Sequence, residues 1–474
     1  SAKLSGEAKV LYVLRQEMRG DTPVITVSPE PPQFGVFFDG TGNDMQNALA
    51  DSKDDDAPTN VAKLFKLYRT DADSPLGAHY NDGVGTHPGE SNSKVDMGIA
   101  YSFGRRVRRA IEESRQFFKH TPLAKEGVID VFGFSRGSAS ARAFVNEVMK
   151  LNETDPDYWG GARIKVRFLG LFDTVGSVGV PGDDDNNNVF AATGLDGPIV
   201  IDVAADSVGC AYQLTAGDEQ RENFPLSSLR RAPEASLPDD WDEIELPGAH
   251  SDIGGGYGPV AHTIYFPVEI VMWRTEQQRE AHVADLKARY EQRYAAPGID
   301  LDMSRCSPLP NQGPVKQTIV APVWTRKVNP HLSNYALELM HKKALERRVP
   351  LQPLKALPRV DSRFSRDDYL VTTHMRELVD KVRSAGRKDP AYEELYREYI
   401  HHSHQYTAQP PKEAMDYLWN LLGNPYAPEE DADHPASNGV RAVYYNDPDA
   451  AYSPDDQWER RNYGHGVYRW ERMR

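Results

Sequence analysis

The chain has 474 residues and a formal charge of −15, from 55 Lys+Arg against 70 Asp+Glu. It is long enough for one large domain with extensions or for two domains, and its acidity argues against binding nucleic acid by bulk electrostatics. Hydrophobic residues make up 39%, the mean hydropathy is −0.62, and no stretch approaches the roughly 20 apolar residues that a spanning helix needs.

Residues 1–33 read as an N-terminal extension without an apolar signal-like core, ending in Pro29, Pro31 and Pro32. The first strong strand is Phe34–Phe38, which is apolar throughout, as buried parallel strands are. It runs into the turn Asp39-Gly40-Thr41-Gly42-Asn43. A helix is predicted over Pro58–Tyr68, with Thr59 or Asn60 as its cap. A short strand and glycine loop follow at Ala78–Thr86, then a long helix with a basic face over Gly98–His120. Val128–Phe134 predicts a strand that breaks at Gly133-Phe134-Ser135-Arg136-Gly137 into a helix of small residues. Ile164–Phe172 is another strand, ending at Asp173, and Ile199–Val203 is a further candidate. The short strand Trp241–Leu246 leads into Gly248-Ala249-His250-Ser251-Asp252 and three glycines. Helical patterns follow over Pro267–Tyr294, Asn334–Arg348, His374–Ser384, Tyr392–His402 and Lys412–Leu422. The alternation of strands and helices over residues 34–260 predicts an α/β fold with a mostly parallel sheet, in which reactive groups collect at the carboxyl ends of strands.

Asp39, Ser135, Asp173 and His250 each sit where a predicted strand runs out. A serine hydroxyl needs a base, usually histidine, and a carboxylate that fixes the histidine tautomer. Gly-x-Ser-x-Gly between strand and helix holds a serine with its Oγ exposed. Ser135, Asp173 and His250 then serve as nucleophile, acid and base in that chain order. Asp183, Asp184, Asp185 and Asp202 are alternatives for the acid, and Asp252 is expected to orient the His250 loop or a substrate. Asp39 is expected to support the site, with the backbone N–H groups of Gly40, Thr41 and Arg136 as oxyanion donors. No Lys-Ser/Thr pair follows the Asp39 turn, so it is not a Walker loop. A haloacid-dehalogenase-type nucleophile would fall at Phe37. Neighbouring histidines in His401-His402-Ser403-His404 read as structural, and no metal site is expected. Cys210 and Cys306 are too far apart in sequence for a disulfide framework to be read. The aromatic and basic end, Trp458 to Arg474, fits a lipid headgroup layer and a solvated tail equally well.

Five motifs in order resemble one family: Phe38–Asn43, Asp82–Thr86, Gly133–Gly137, Phe172–Val175 and Gly248–Gly256, with Leu332–Met340 also fitting. It is the α/β-hydrolase domain of bacterial type VI secretion phospholipase effectors, first lipase-effector group. The resemblance implies an α/β-hydrolase-like catalytic domain over residues 34–350, followed by a mainly helical C-terminal extension over 351–474. It implies Ser135 as nucleophile, His250 as base, an aspartate carried to Asp173, no cofactor and no metal. The activity implied is phospholipase A action on membrane phospholipid through peripheral contact. The implied partners are a secretion spike protein and an immunity protein, with delivery from the producer's cytoplasm to the periplasm of target bacteria.

Overall fold

The computed structural model describes residues 12–19, 22–29, 31–40, 56–70, 75–83, 95–120, 125–176, 200–221, 224–258, 261–309, 313–357, 371–404, 406, 441, 443–446, 458–464 and 467–472. At its centre six strands form one parallel sheet: β1 (Gln33–Phe38), β2 (Leu76–Asn81), β3 (Glu126–Phe134), β4 (Arg163–Phe172), β5 (Ala211–Ala216) and β6 (Asp242–Leu246). Their spatial order is β6-β5-β4-β3-β1-β2, and every pairing is parallel. The chain steps outward from β1 to β2, then returns to the other side of β1 and continues from β3 to β6. The strand order therefore reverses between β1 and β3, where open α/β sheets open a crevice at their carboxyl ends.

Helices cover both faces. They are α1 (Asn60–Leu67), α2 (Val95–Lys119), α3 (Arg136–Thr154), α4 (His250–Gly254), α5 (Glu276–Arg293), α6 (Leu332–Glu346), α7 (Thr373–Ala385) and α8 (Pro390–Glu398). Strand alternation sorts the core. Val36 and Phe38 join Ile129, Val131, Leu169 and Leu171 beneath α2 and α3, while Phe37, Phe132, Phe168 and Phe172 pack on the opposite face with α1 and α6. Phe37 and Phe132 stack at 5.1 Å across the β1–β3 pair. The fold is α/β-hydrolase-like.

Several elements differ from the sequence reading. The strand expected at Ile199–Val203 is irregular over 200–203, and the strand lies instead at Ala211–Ala216. Residues 200–202 spend their carbonyls on side chains of α3: Asn146 Nδ2 donates to Val200 and Asp202, and Arg142 donates to Ile201. In β5, Gln213 and Thr215 are buried polar residues that interrupt the apolar run. The helix expected from Pro267 starts only at Glu276, capped by Thr275, and Glu269–Trp273 is a strand. There Val271 and Trp273 are buried while Ile270 and Met272 are exposed, the two-residue period of a strand. Asp56–Thr59 forms a short strand before α1, with Thr59 as the cap accepting from Ala62 N.

The first residues form a hairpin of Tyr12–Arg19 and Thr22–Pro29. Beyond Pro350 the chain contributes α7, α8 and strands: Val443–Tyr444 lies between Leu226–Ser227 and Val467–Arg472, which pairs in turn with Trp458–Gly464. The predicted helix Lys412–Leu422 lies outside the described residues. Cys210 and Cys306 are both free thiols.

Arg142 pins these parts together from within α3. Its fully buried guanidinium donates to the carbonyls of Ile201 and Ser227 and to Asn446 Oδ1, while Asn446 exchanges hydrogen bonds with the Val203 backbone. Replacing it strands several buried acceptors. Arg142→Met is expected to destabilise the chain by about 2–4 kcal/mol, read as a lower denaturation midpoint at unchanged slope.

Candidate active site

Ser135 is the last residue before α3, at φ 57° and ψ −127°, a left-handed conformation that few side chains tolerate. Main-chain hydrogen bonds hold it there. Its N–H donates to Phe172 O at 3.0 Å, and its carbonyl accepts from Ser138 N at 3.0 Å and Val175 N at 3.3 Å. The glycines on either side permit the turn. A Cβ at Gly133 would lie 2.5 Å from Ser138 Cα, and one at Gly137 would lie 2.3 Å from Phe38 O and 2.5 Å from Asp39 O. The second contact seats the start of α3 directly against the end of β1. At that helix start, the Arg136 N–H belongs to the first turn, whose amides have no intrahelical acceptor.

Asp173 follows β4 and is also left-handed, at φ 44°. Its carboxylate is fully buried and takes four donors. Oδ1 accepts from Ala216 N at 2.9 Å and Arg441 Nη1 at 2.8 Å; Oδ2 accepts from His250 Nδ1 at 2.5 Å and Arg441 Nη2 at 2.8 Å. Burial alone would raise this carboxyl, but the Arg441 guanidinium and the His250 hydrogen bond outweigh it and hold it well below the usual carboxylate range. His250 opens α4 with its ring between Phe134, at 4.6 Å, and Phe224, at 5.0 Å. Burial lowers its pKa, against the raising effect of Asp173. The imidazole is therefore mostly neutral near pH 7, with Nδ1 as the donor to Asp173 and Nε2 as the basic nitrogen. Phe134 precedes Ser135 directly, so the same ring that packs on His250 ties it to the serine turn.

The other expected residues take distinct places. Asp202 pairs with Arg142 at 3.7 Å, and Asp183, Asp184 and Asp185 lie outside the described residues. Asp252 orients the loop, with Oδ2 accepting from Ala249 N at 2.9 Å and His401 N at 2.8 Å, and Oδ1 from His401 Nδ1 at 2.6 Å. Tyr257 stacks on the His401 ring at 4.0 Å. The helix expected to reach His402 ends at Glu398, which leaves His401, His402 and His404 buried in an irregular segment against the α4 loop.

Asp39 is buried at the end of β1. Its Oδ2 accepts from Thr59 Oγ1 at 2.7 Å and Tyr80 OH at 2.5 Å, and its Oδ1 accepts from Gly40 N at 2.7 Å. The Gly40 N–H thus points at its own neighbour's carboxylate, and Thr41 lies outside the described residues.

Three polar residues at the site escape the sequence reading. Glu219 accepts from His250 N at 3.3 Å, from Ser403 Oγ at 2.9 Å and from the Arg221 guanidinium, and Arg221 lies 3.3 Å over the Phe224 ring. Burial raises the Glu219 carboxyl, but Arg221 outweighs it and brings it to about 2. Glu219 and Arg221 follow the end of β5, so locating that strand would have exposed them. Arg441 has no such local signal.

Burial pushes Asp39 up from 3.8 to about 6 despite its donors. A carboxyl raised in the folded state stabilises the fold below its unfolded pKa, and that contribution is lost as pH rises through the folded one. Between pH 4 and 7 the stability of Asp39→Asn relative to wild type should therefore rise by roughly 2 kcal/mol, as measured by denaturant unfolding across that window.

The family model for the type VI secretion phospholipase effector Tle1-like catalytic domain matches residues 33–152 and 147–268. No curated protein matches the chain. Among solved structures, the Tle1 effector bound to the VgrG spike from the Type 6 secretion system is similar at TM-score 0.60 and 20% identity, covering 92% of this chain and 100% of that one. An uncharacterized protein from Pseudomonas aeruginosa matches at TM-score 0.45 and 19% identity, over 77% of this chain and 52% of that one.

Proposed function

The chain belongs to the family of Tle1-like type VI secretion phospholipase effectors, and from that membership we propose that it is a serine-dependent phospholipase of the A type. The observation that carries the reading is the buried Asp173 Oδ2–His250 Nδ1 pair at 2.5 Å, next to a serine held in a left-handed turn at a strand end. In this reading Ser135 Oγ attacks the ester carbonyl of a phospholipid acyl chain while His250 Nε2 takes the hydroxyl proton. Asp173 fixes the tautomer and stabilises the imidazolium. The Arg136 N–H and a backbone N–H of the Asp39–Thr41 loop hold the oxyanion. Since Gly40 N–H donates to Asp39 Oδ1, its use as a donor requires that contact to open, or Thr41 to serve instead. Collapse of the tetrahedral adduct expels the lysophospholipid alkoxide, protonated by His250. Water, deprotonated by the same imidazole, then releases the fatty acid and frees Ser135. The neutral state of the buried imidazole suits it to the base role.

Among the described residues no helix is long and apolar enough to cross a membrane. The spike-bound effector shares the fold over 92% of this chain. That supports a spike protein as carrier; an immunity protein protecting the producer and the periplasm of target bacteria as the place of action are carried over from the sequence resemblance alone.

Wild type should release free fatty acid and lysophospholipid from phospholipid vesicles, and Ser135→Ala and His250→Ala should each lose about 10³-fold or more in rate. Equal release by Ser135→Ala, or products without free fatty acid, would remove this reading. Much faster turnover of short soluble esters than of vesicles would redirect it to a soluble esterase.

A further inference from the structure

We propose that Arg441, from a segment far beyond the matched catalytic domain, is a positioning residue that fixes the Asp173 carboxylate for His250 and sets the pH at which that histidine works. The proposal rests on the reading of Ser135 as nucleophile and His250 as base. Arg441 grips both oxygens of Asp173 at 2.8 Å while its Nε donates to Phe224 O at 2.6 Å and its Nη1 to Ala216 O at 3.2 Å. The fork therefore ties the acid to the end of β5 and to the residue whose ring packs on His250. Its side chain is 9% exposed, so this contact is poorly screened by solvent. A planar bidentate pair leaves the carboxylate one orientation, with Oδ2 facing Nδ1.

The same contact has an electrostatic effect. A guanidinium beside Asp173 reduces the negative potential that the carboxylate offers to the imidazolium, so the protonated form of His250 is less favoured than it would be beside a lone aspartate. Among the described residues, the other charges around His250 are Glu219 and Arg221 after β5, and Arg136, which lies 5.9 Å over Phe224. Glu219 is already matched by Arg221, and Asp252 in α4 is turned to His401. Arg441 is thus the charge that touches the acid itself. The C-terminal segment is anchored for this purpose: Ser228 N donates to Tyr444 O, Asn446 N donates to Arg230 O, and Asn446 Oδ1 accepts from Arg142.

The test is the rate at which a fluorophosphonate probe labels the full chain, measured from pH 4 to pH 9 for wild type, Arg441→Met, Arg441→Gln and Arg441→Lys, with Ser135→Ala as control. Labelling requires neutral His250, so its acidic limb reports the histidine directly. Removing the charge should move that limb up by about one pH unit, giving about tenfold slower labelling below the limb and little change above it. Arg441→Lys should return the limb most of the way to wild type while labelling more slowly at all pH values, since it keeps the charge but not the fork. An unmoved limb in both neutral variants, with labelling merely slower throughout, overturns the proposal and leaves Arg441 a structural anchor. Loss of the folded state in both neutral variants, seen by circular dichroism, overturns it in the same way. No labelling of wild type, or equal labelling of Ser135→Ala, would instead sink the serine-hydrolase reading itself and the proposal with it.

Discussion

The buried carboxylate of Asp173 is the constraint on which the rest of this structure depends. A fully buried charge is tolerated only when its oxygens are satisfied, and four donors converge here. They come from three different parts of the chain: the Ala216 amide from the end of β5, the ring of His250 from the start of α4, and two nitrogens of Arg441 from the C-terminal segment. Satisfying one residue therefore fixes the relative placement of three elements. The left-handed backbone at Asp173 and Ser135, of order 1–3 kcal/mol each, is held by this convergence.

The all-parallel sheet makes that convergence possible. Because β3, β4 and β5 point the same way and are neighbours, the residues after them meet at one edge. The reversal of strand order between β1 and β3 brings the Asp39 turn to the same edge, close enough that Gly137 has no room for a side chain. A second acid–imidazole pair, Asp252 with His401, sits behind the first and links the α4 loop to the chain after α8. Asp218 extends the linkage, accepting from Gly248 N, from Tyr392 OH of α8 and from Arg387 in the turn before it. The histidine loop is thus supported from below by the sheet and from behind by residues past 350.

What could be read from sequence follows from what leaves a local trace. Strands β1, β3 and β4 are apolar runs that stop at a polar residue, so Asp39, Ser135 and Asp173 stand out, and the glycines around His250 mark its loop. Strand β5 leaves a poorer trace because Gln213 and Thr215 are buried within it, Gln213 donating to Ser227 O and Glu243. Missing that strand also hides Glu219 and Arg221. The segment Glu269–Trp273 has a two-residue alternation that is too short to outweigh the helical pattern following it. Arg441 and His401 act on residues hundreds of positions or well over a hundred positions away, and a side chain recruited by tertiary contact alone has no spacing to betray it.

The lateness of Arg441 in the chain has a consequence for biosynthesis. Translation at roughly 5–20 residues per second puts tens of seconds between the appearance of Asp173 and that of Arg441. Through that interval a growing chain can close the sheet and pair His250 with Asp173, yet it lacks the cation that completes the carboxylate's shell. Contacts of such long sequence separation also form late once the chain is free, since loop closure must precede them. The acid of the candidate site is fully enclosed only in a chain made at least as far as Arg441.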